Sequence, residues 1–190
     1  MSKAYHRQHP MIAWRIRCGL LVAAACMLPQ FAAGQMPLKP GILHKQRVYS
    51  KYQEDSTTIL YLRTELDRSD TLHIVFVLPV EAESPVYLYG NGIEEAAKLI
   101  RTGLIRDNVL FVQPGFCRIP WYGNHPEDLS VRQEDYLLEL MEEVKSAYRN
   151  FVIKTYLLGF SKSGWGSMSF LLSHPMQIDG VLIWDAPLSA

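Results

Sequence analysis

The chain has 190 residues, of which 48% are hydrophobic, and it carries 19 basic and 19 acidic side chains. This composition is ordinary for a globular protein and is sufficient for one domain with a hydrophobic core. Four basic residues and no acidic residue lie in positions 1–34, which leaves 15 basic and 19 acidic residues in the remainder. The chain therefore lacks the basic surface of a nucleic-acid-binding protein, and we expect no nucleic-acid partner.

The first 34 residues have the order of a secretory signal peptide. A basic region ends at Arg17, the apolar run Cys18–Leu28 follows, and residues 32–34 are small, as cleavage before Gln35 requires. The run is shorter than the about 20 apolar residues of a transmembrane helix, so we expect no stable membrane span. The prediction is a secreted or periplasmic protein; an uncleaved anchor or a lipidated Cys26 is the alternative.

Strand-like and helix-like segments alternate along the rest of the chain. Residues 35–54 are interpreted as an extended leading segment, and residues 55–190 as a partial α/β domain. Strands are predicted at residues 57–66, 71–80, 108–113, 153–158 and 180–184, and helices at residues 92–102, 130–148 and 162–173. Ser130 and Gln133 have the spacing of a capping box at the start of the second helix. The alternation predicts a mostly parallel sheet with flanking helices, whose site lies at the carboxyl ends of the strands.

The stretch GFSKSGWG, residues 159–166, has the order of a nucleophile elbow. A strand ends at Gly159, Ser161 follows, and a helix begins, so the hydroxyl would project above the sheet beside the amino end of the helix. The N–H of Lys162 would then be one donor to an oxyanion. Because Pro79 has no N–H, the second donor is expected from Val80 or Glu81. A tight structural turn with Ser161 as a helix cap is the alternative.

Other motifs that bind phosphates do not fit this stretch. A P-loop needs Lys and Ser or Thr after its last glycine, and here Trp165 follows Gly164. A dinucleotide fingerprint needs a third small residue and a later acidic partner, for which the chain is too short. We expect no cofactor and no metal. Cys117, the one cysteine after position 34, is interpreted as a packed thiol rather than a nucleophile.

The sequence resembles the esterase branch of the α/β-hydrolases, the group that contains esterase D and antigen 85 type proteins. Three segments carry the resemblance: GFSKSGWG, SHPMQIDGVLIWDAPL and QPGFCRIPWYGNHPEDLSVRQEDYLLELM. The resemblance implies an α/β-hydrolase-like sheet and a serine hydrolase of carboxylic esters with Ser161 as nucleophile. It also implies a small-molecule or acyl-ester substrate. Ser163 stands where the family usually has glycine.

In that family the triad acid follows a later strand and the histidine follows the last one. The resemblance therefore implies an incomplete domain that lacks its last strands and helices, its acid and its base. We expect the 190-residue chain to be inactive and poorly soluble. Among the histidines, His125 is a candidate for substrate contact, and Asp185 is a candidate for the acid or for a structural or gating role.

Two functional hypotheses remain open at this point. The first is a secreted serine esterase in which Trp121 and Tyr122 line a substrate pocket; the two aromatic residues could instead only pack the loop. The second is a non-catalytic remnant or binding protein that keeps the fold without a triad. The sequence carries no signal for the substrate's identity or for the oligomeric state.

Overall fold

The computed structural model describes residues 38–67, 71–84, 92–106 and 108–186. The predicted signal peptide lies outside these ranges, so it remains a prediction. None of the helices in the described ranges is long and apolar enough to cross a membrane.

The described residues form a six-stranded sheet with three helices. The strands are β1 (His44–Ser50), β2 (Asp55–Arg63), β3 (Thr71–Leu78), β4 (Val109–Gln113), β5 (Val152–Phe160) and β6 (Gly180–Trp184). The helices are α1 (Gly92–Arg101), α2 (Gln133–Ala147) and α3 (Lys162–Ser173). The strand order is β1-β2-β4-β3-β5-β6. Strands β4, β3, β5 and β6, neighbours in that order, run parallel to one another. Strand β2 runs antiparallel to both of its neighbours.

Helices cover both faces of the sheet, as the sequence predicted. Alternate residues of β2 point to opposite faces, and they join two separate hydrophobic clusters. Ile59 and Tyr61 pack with α2 and α3, whereas Leu60 and Leu62 pack with α1. β3 lies inside the sheet between β4 and β5, under this double cover, which explains why it reads as a nearly continuous apolar run.

Two local expectations differ from the structure. Residues 44–50, predicted only as an extended segment, form the antiparallel edge strand β1. The capping box is wrong: α2 begins at Gln133, its N-cap is Arg132, and no side chain caps it. The Ser130 hydroxyl donates instead to Asp128 Oδ1 at 2.6 Å. The Gln133 side chain bonds to the preceding loop.

The topology places four loops at one end of the parallel strands. Because β3, β4, β5 and β6 are parallel, the segments that follow them meet where the strands' carboxyl ends lie. Ser161 follows β5, and residues 79–84 follow β3. The candidate site lies at this end of the strands.

Candidate active site

Ser161 occupies a strained turn between β5 and α3. Its backbone has φ 52° and ψ −122°, a conformation that a residue with a side chain rarely adopts. Its N–H donates to the carbonyl of Trp184 at the end of β6, at 3.1 Å. The Ser161 side chain makes no capping hydrogen bond to α3. This geometry contradicts the interpretation of Ser161 as a simple helix cap.

Small residues on both sides make this turn sterically possible. A Cβ atom at Gly159 would lie 2.3 Å from the carbonyl oxygen of Ser163, and one at Gly164 would lie 2.8 Å from Ile183 Cγ2. Ser163 is fully buried, and its hydroxyl bonds to both the N–H and the carbonyl of Phe160, each at 2.9 Å. The serine that replaces the usual glycine therefore ties the start of α3 to the end of β5.

A cavity of about 660 Å³ opens beside Ser161. It is lined by Val80, Glu81, Ala82, Glu83, Ser84, Ile119, Phe160, Ser161 and Lys162. The structure thus brings together the predicted nucleophile and the residues predicted to supply both oxyanion donors. The site combines a hydroxyl, the amino end of a helix and a neighbouring loop backbone, which are the parts that acyl transfer needs.

Lys162 begins α3, so its N–H is among those that a helix leaves without an intrahelical partner. Its ammonium Nζ lies 5.0 Å from the centre of the Trp121 ring, within the range of a cation–π contact. Burial lowers the pKa of the Lys162 ammonium, and the nearby Glu81 carboxylate opposes that shift. The amino end of α3 is therefore electropositive where it meets the cavity.

Three solved structures share this architecture. FphF, a fluorophosphonate-binding serine hydrolase of Staphylococcus aureus, matches with a TM-score of 0.56 and 15% identity over 78% of this chain and 58% of its own. An S-formylglutathione hydrolase from Agrobacterium tumefaciens matches with a TM-score of 0.56 and 12% identity over 77% and 58%. MPT51 of Mycobacterium tuberculosis matches with a TM-score of 0.51 and 19% identity over 72% and 48%.

The chain has an α/β-hydrolase fold. It spans less than two thirds of the length of these three proteins. No protein-family model matches the sequence, and a search of curated proteins gives no match either.

The loop after β4 places the three predicted substrate contacts of this α/β-hydrolase fold in different surroundings. Trp121 is 63% exposed, with its ring beside Lys162. Tyr122 is only 3% exposed, so its ring belongs to the core and not to the wall of the cavity. His125 is exposed, and its Nδ1 accepts the N–H groups of Glu127 and Asp128 at 3.2 and 2.9 Å. That ring therefore closes a local turn, and its proposed contact with substrate stays a prediction.

The remaining described histidines contact groups away from Ser161. His174 lies at the opposite end of α3, about 18 Å from its start at about 1.5 Å per residue, and its Nε2 is 2.6 Å from Glu134 Oε1. His73 pairs with Lys154, well before the end of β5, and stacks on Tyr156. The Nε2 atom of His44 accepts the N–H of Lys39. The contacts of these three rings are therefore with groups other than Ser161.

Three further candidates for chemistry are the thiol of Cys117, a metal site and the carboxylate of Asp185. Cys117 lies next to Gln53, and burial, the largest effect, raises the pKa of its thiol. A raised pKa disfavours the reactive thiolate, as predicted for a packed cysteine. In the described ranges no three His, Cys, Asp or Glu side chains are grouped as a metal site would require. Asp185 is exposed with φ 53°, directly after β6, and its role stays a prediction.

Sequence reasoning missed two residues that shape the site. Gln133 is buried, and its Oε1 accepts the N–H groups of Trp121 and Tyr122 at 2.7 and 3.3 Å. Glu83 fastens the loop after β3 to β2 through Thr58. The sequence did single out Gln133, but as a helix cap. Nothing in the local pattern marks Glu83, because its partner is 25 residues earlier in the chain.

Proposed function

We propose that the protein is a serine hydrolase of carboxylic esters, with Ser161 as its nucleophile. The observation that carries the proposal is the strained, uncapped Ser161 at the amino end of α3, open to a cavity of about 660 Å³. Backbone strain at a polar side chain that makes no capping hydrogen bond favours a catalytic role over a structural one. The shared fold with FphF and S-formylglutathione hydrolase is consistent with this chemistry.

The proposed reaction is acyl transfer in two steps. Ser161 Oγ attacks the ester carbonyl carbon and gives its proton to a general base. The carbonyl oxygen becomes an oxyanion that accepts hydrogen bonds from the Lys162 N–H and from the N–H of Val80 or Glu81. The alcohol then leaves with a proton, and water releases the acid from the acyl-enzyme by the same route.

The acid and the base of the triad are proposed to lie outside the described residues. A base must come within about 2.6–3.2 Å of the serine hydroxyl. The four described histidines contact other groups: Lys39, Tyr156, Glu134, and the turn at Asp128. The same observation favours the second candidate, a protein that keeps the fold and binds ligands without catalysis.

Labelling with a fluorophosphonate distinguishes the two candidates. The reagent phosphonylates an activated serine, so a form of the protein that contains the proposed acid and base should be labelled at Ser161, and its Ser161→Ala variant should not. Ser169→Ala, on the same helix, is the matched control and should be labelled like the wild type. Turnover of short acyl esters should follow the same pattern. Equal labelling of Ser161→Ala would rule out Ser161 as the nucleophile, and an unlabelled wild type would favour the non-catalytic candidate.

We also propose that the protein is exported and cleaved before Gln35, on the order of basic, apolar and small residues in positions 1–34. Amino-terminal sequencing of exported protein should begin at Gln35. A mature chain that starts near Met1 would contradict this proposal.

A further inference from the structure

The first part of the segment that follows β3, residues 79–84, is held at two points. We call it the β3 loop. At its start, the hydroxyl of Tyr122 donates to the carbonyl of Pro79. Near its end, the N–H of Glu83 donates to the carbonyl of Phe116 at 2.7 Å. Val80 and Glu81, the residues proposed to supply the second oxyanion donor, lie between these two fixed points.

Glu83 makes the second attachment strong. Its carboxylate accepts the N–H of Thr58 at 2.7 Å and the hydroxyl of Thr58 at 2.6 Å. Arg47 lies 3.8 Å from the same carboxylate. Hydrogen bonds to a charged carboxylate are stronger than those between neutral groups. The end of the β3 loop is therefore tied to β2, a strand inside the sheet.

Tyr122 connects the β3 loop to the nucleophile helix. Its ring lies against Gly166 of α3, where a Cβ atom would come within 2.2 Å of the ring. Its edge also packs against the ring of Phe116, with the ring centres 5.5 Å apart. One buried side chain thus contacts α3 with its ring and the β3 loop with its hydroxyl.

The backbone of Tyr122 is strained in order to hold this position. Its φ is 61°, which is a rare conformation for a bulky residue. The buried amide of Gln133 accepts the N–H groups of Trp121 and Tyr122 and donates to the carbonyl of Ile119 at 3.3 Å. Burial raises the pKa of the Tyr122 hydroxyl well above its ordinary value, so the group stays protonated and can donate.

We propose that Tyr122 is a positioning residue that sets the distance between the two oxyanion donors. The first donor, the Lys162 N–H, moves with α3, and the second, from Val80 or Glu81, moves with the β3 loop. Tyr122 spans the two elements, so it fixes their separation to the width that an oxyanion requires. This inference rests on the proposed function of Ser161.

The test compares Tyr122→Phe with Tyr148→Phe in the same form of the protein, the one that contains the proposed acid and base. The first change removes only the hydroxyl that meets Pro79. Tyr148 is a matched control, because its hydroxyl is also buried but has no hydrogen-bond partner among the described residues. Loss of an oxyanion donor costs about 10²–10³ in kcat, and a displaced donor should cost less. We expect Tyr122→Phe to lower kcat by roughly ten- to a hundredfold with little change in KM.

A pair of substrates separates positioning from a general structural role. In a thionoester, sulfur replaces the carbonyl oxygen, and sulfur is a poorer and larger hydrogen-bond acceptor. The wild type should therefore prefer the oxygen ester strongly, and Tyr122→Phe should lose much of that preference. Tyr148→Phe should keep it. Thr58→Val, which removes a bond at the other end of the β3 loop, should act in the same direction, and Thr58→Ser should restore the wild-type preference.

Amide hydrogen exchange reads the β3 loop without any turnover. In Tyr122→Phe, the amides of residues 80–83 should exchange about tenfold faster or more, while Tyr148→Phe leaves them unchanged. Unchanged loop exchange, or a lower kcat with an unchanged preference for the oxygen ester, would overturn the proposal. Faster loop exchange in a chain whose wild type hydrolyses neither ester and is not labelled at Ser161 would overturn the proposed function instead.

Discussion

At Ser161 the chain adopts a backbone conformation that only small neighbours permit. The residue two places earlier is Gly159, and the residue two places later is Ser163. The sequence predicted both the turn and its small neighbours, because the requirement is local and steric. It could not predict that the Ser163 hydroxyl would bond to both backbone groups of Phe160, since that contact depends on how tightly the turn closes.

We predict that Gly159→Ala destabilises the protein and disrupts the site. The new methyl group would meet the carbonyl oxygen of Ser163 at 2.3 Å and the Ser167 hydroxyl at 2.5 Å. Such overpacking costs about 1–3 kcal/mol in the free energy of unfolding, and occasionally more. Urea unfolding measures this change. Gly123→Ala is the matched control, because a Cβ atom there meets nothing within 4 Å, and it should change stability by less than about 0.5 kcal/mol. Equal stability of both variants would show that the turn has room for the methyl group.

At the scale of elements, the predicted bounds were closest where the signals are local. The helix 162–173 and the strand 180–184 were predicted with the bounds that α3 and β6 have, because a tight turn precedes α3 and Pro175 follows it. β1 was missed as a strand because its less exposed positions carry the polar residues His44, Gln46 and Ser50, which hide its alternation. The capping box failed because Gln133 is held by a loop residue eleven or twelve positions earlier.

Asp179, in the segment between α3 and β6, ties that segment to β5 and makes this contact sensitive to acid. Its carboxylate accepts the Lys154 ammonium at 2.8 Å and the N–H of Thr155 at 2.8 Å. The hydrogen bond to Lys154, followed by that to the Thr155 backbone, lowers the pKa of Asp179 below its ordinary value of 3.8. Since the pKa is lower in the folded state, the carboxylate stabilises the fold above about pH 4, and this contribution is lost as the pH falls through the folded-state pKa.

We predict that Asp179→Asn lowers the Tm at neutral pH and that the difference from the wild type narrows in acid. The asparagine cannot ionise, so it adds no stability from ionisation above pH 4 and loses none below it. Thermal unfolding followed by circular dichroism between pH 7 and pH 3 measures both curves. Lys154→Gln, which removes the partner cation, should also reduce the dependence of Tm on pH. A Tm difference that stays constant across this range would contradict the assignment.

At the scale of the whole molecule, the two edge strands of the described sheet differ in how well they are protected against pairing with another chain. The edge strand β1 carries Lys45 and Arg47, and charged residues on an edge discourage pairing with another chain. The opposite edge strand, β6, has the sequence GVLIW and no charge. Leu182 and Trp184 on β6 are 64% and 60% exposed. An apolar, uncharged edge strand is a template for association.

We therefore predict that the 190-residue chain associates through β6 and that Leu182→Lys suppresses this association. The lysine places a charge on the unprotected edge, where pairing with a second chain would bury it at a cost. Leu129→Lys is the matched control, because Leu129 is 65% exposed but lies in the loop before α2. Sedimentation velocity at rising protein concentration should show larger species for the wild type and for Leu129→Lys, and a monomer for Leu182→Lys. A wild type that stays monomeric would mean that β6 is not an open edge in solution. Association that persists equally in both lysine variants would locate the contact on another surface.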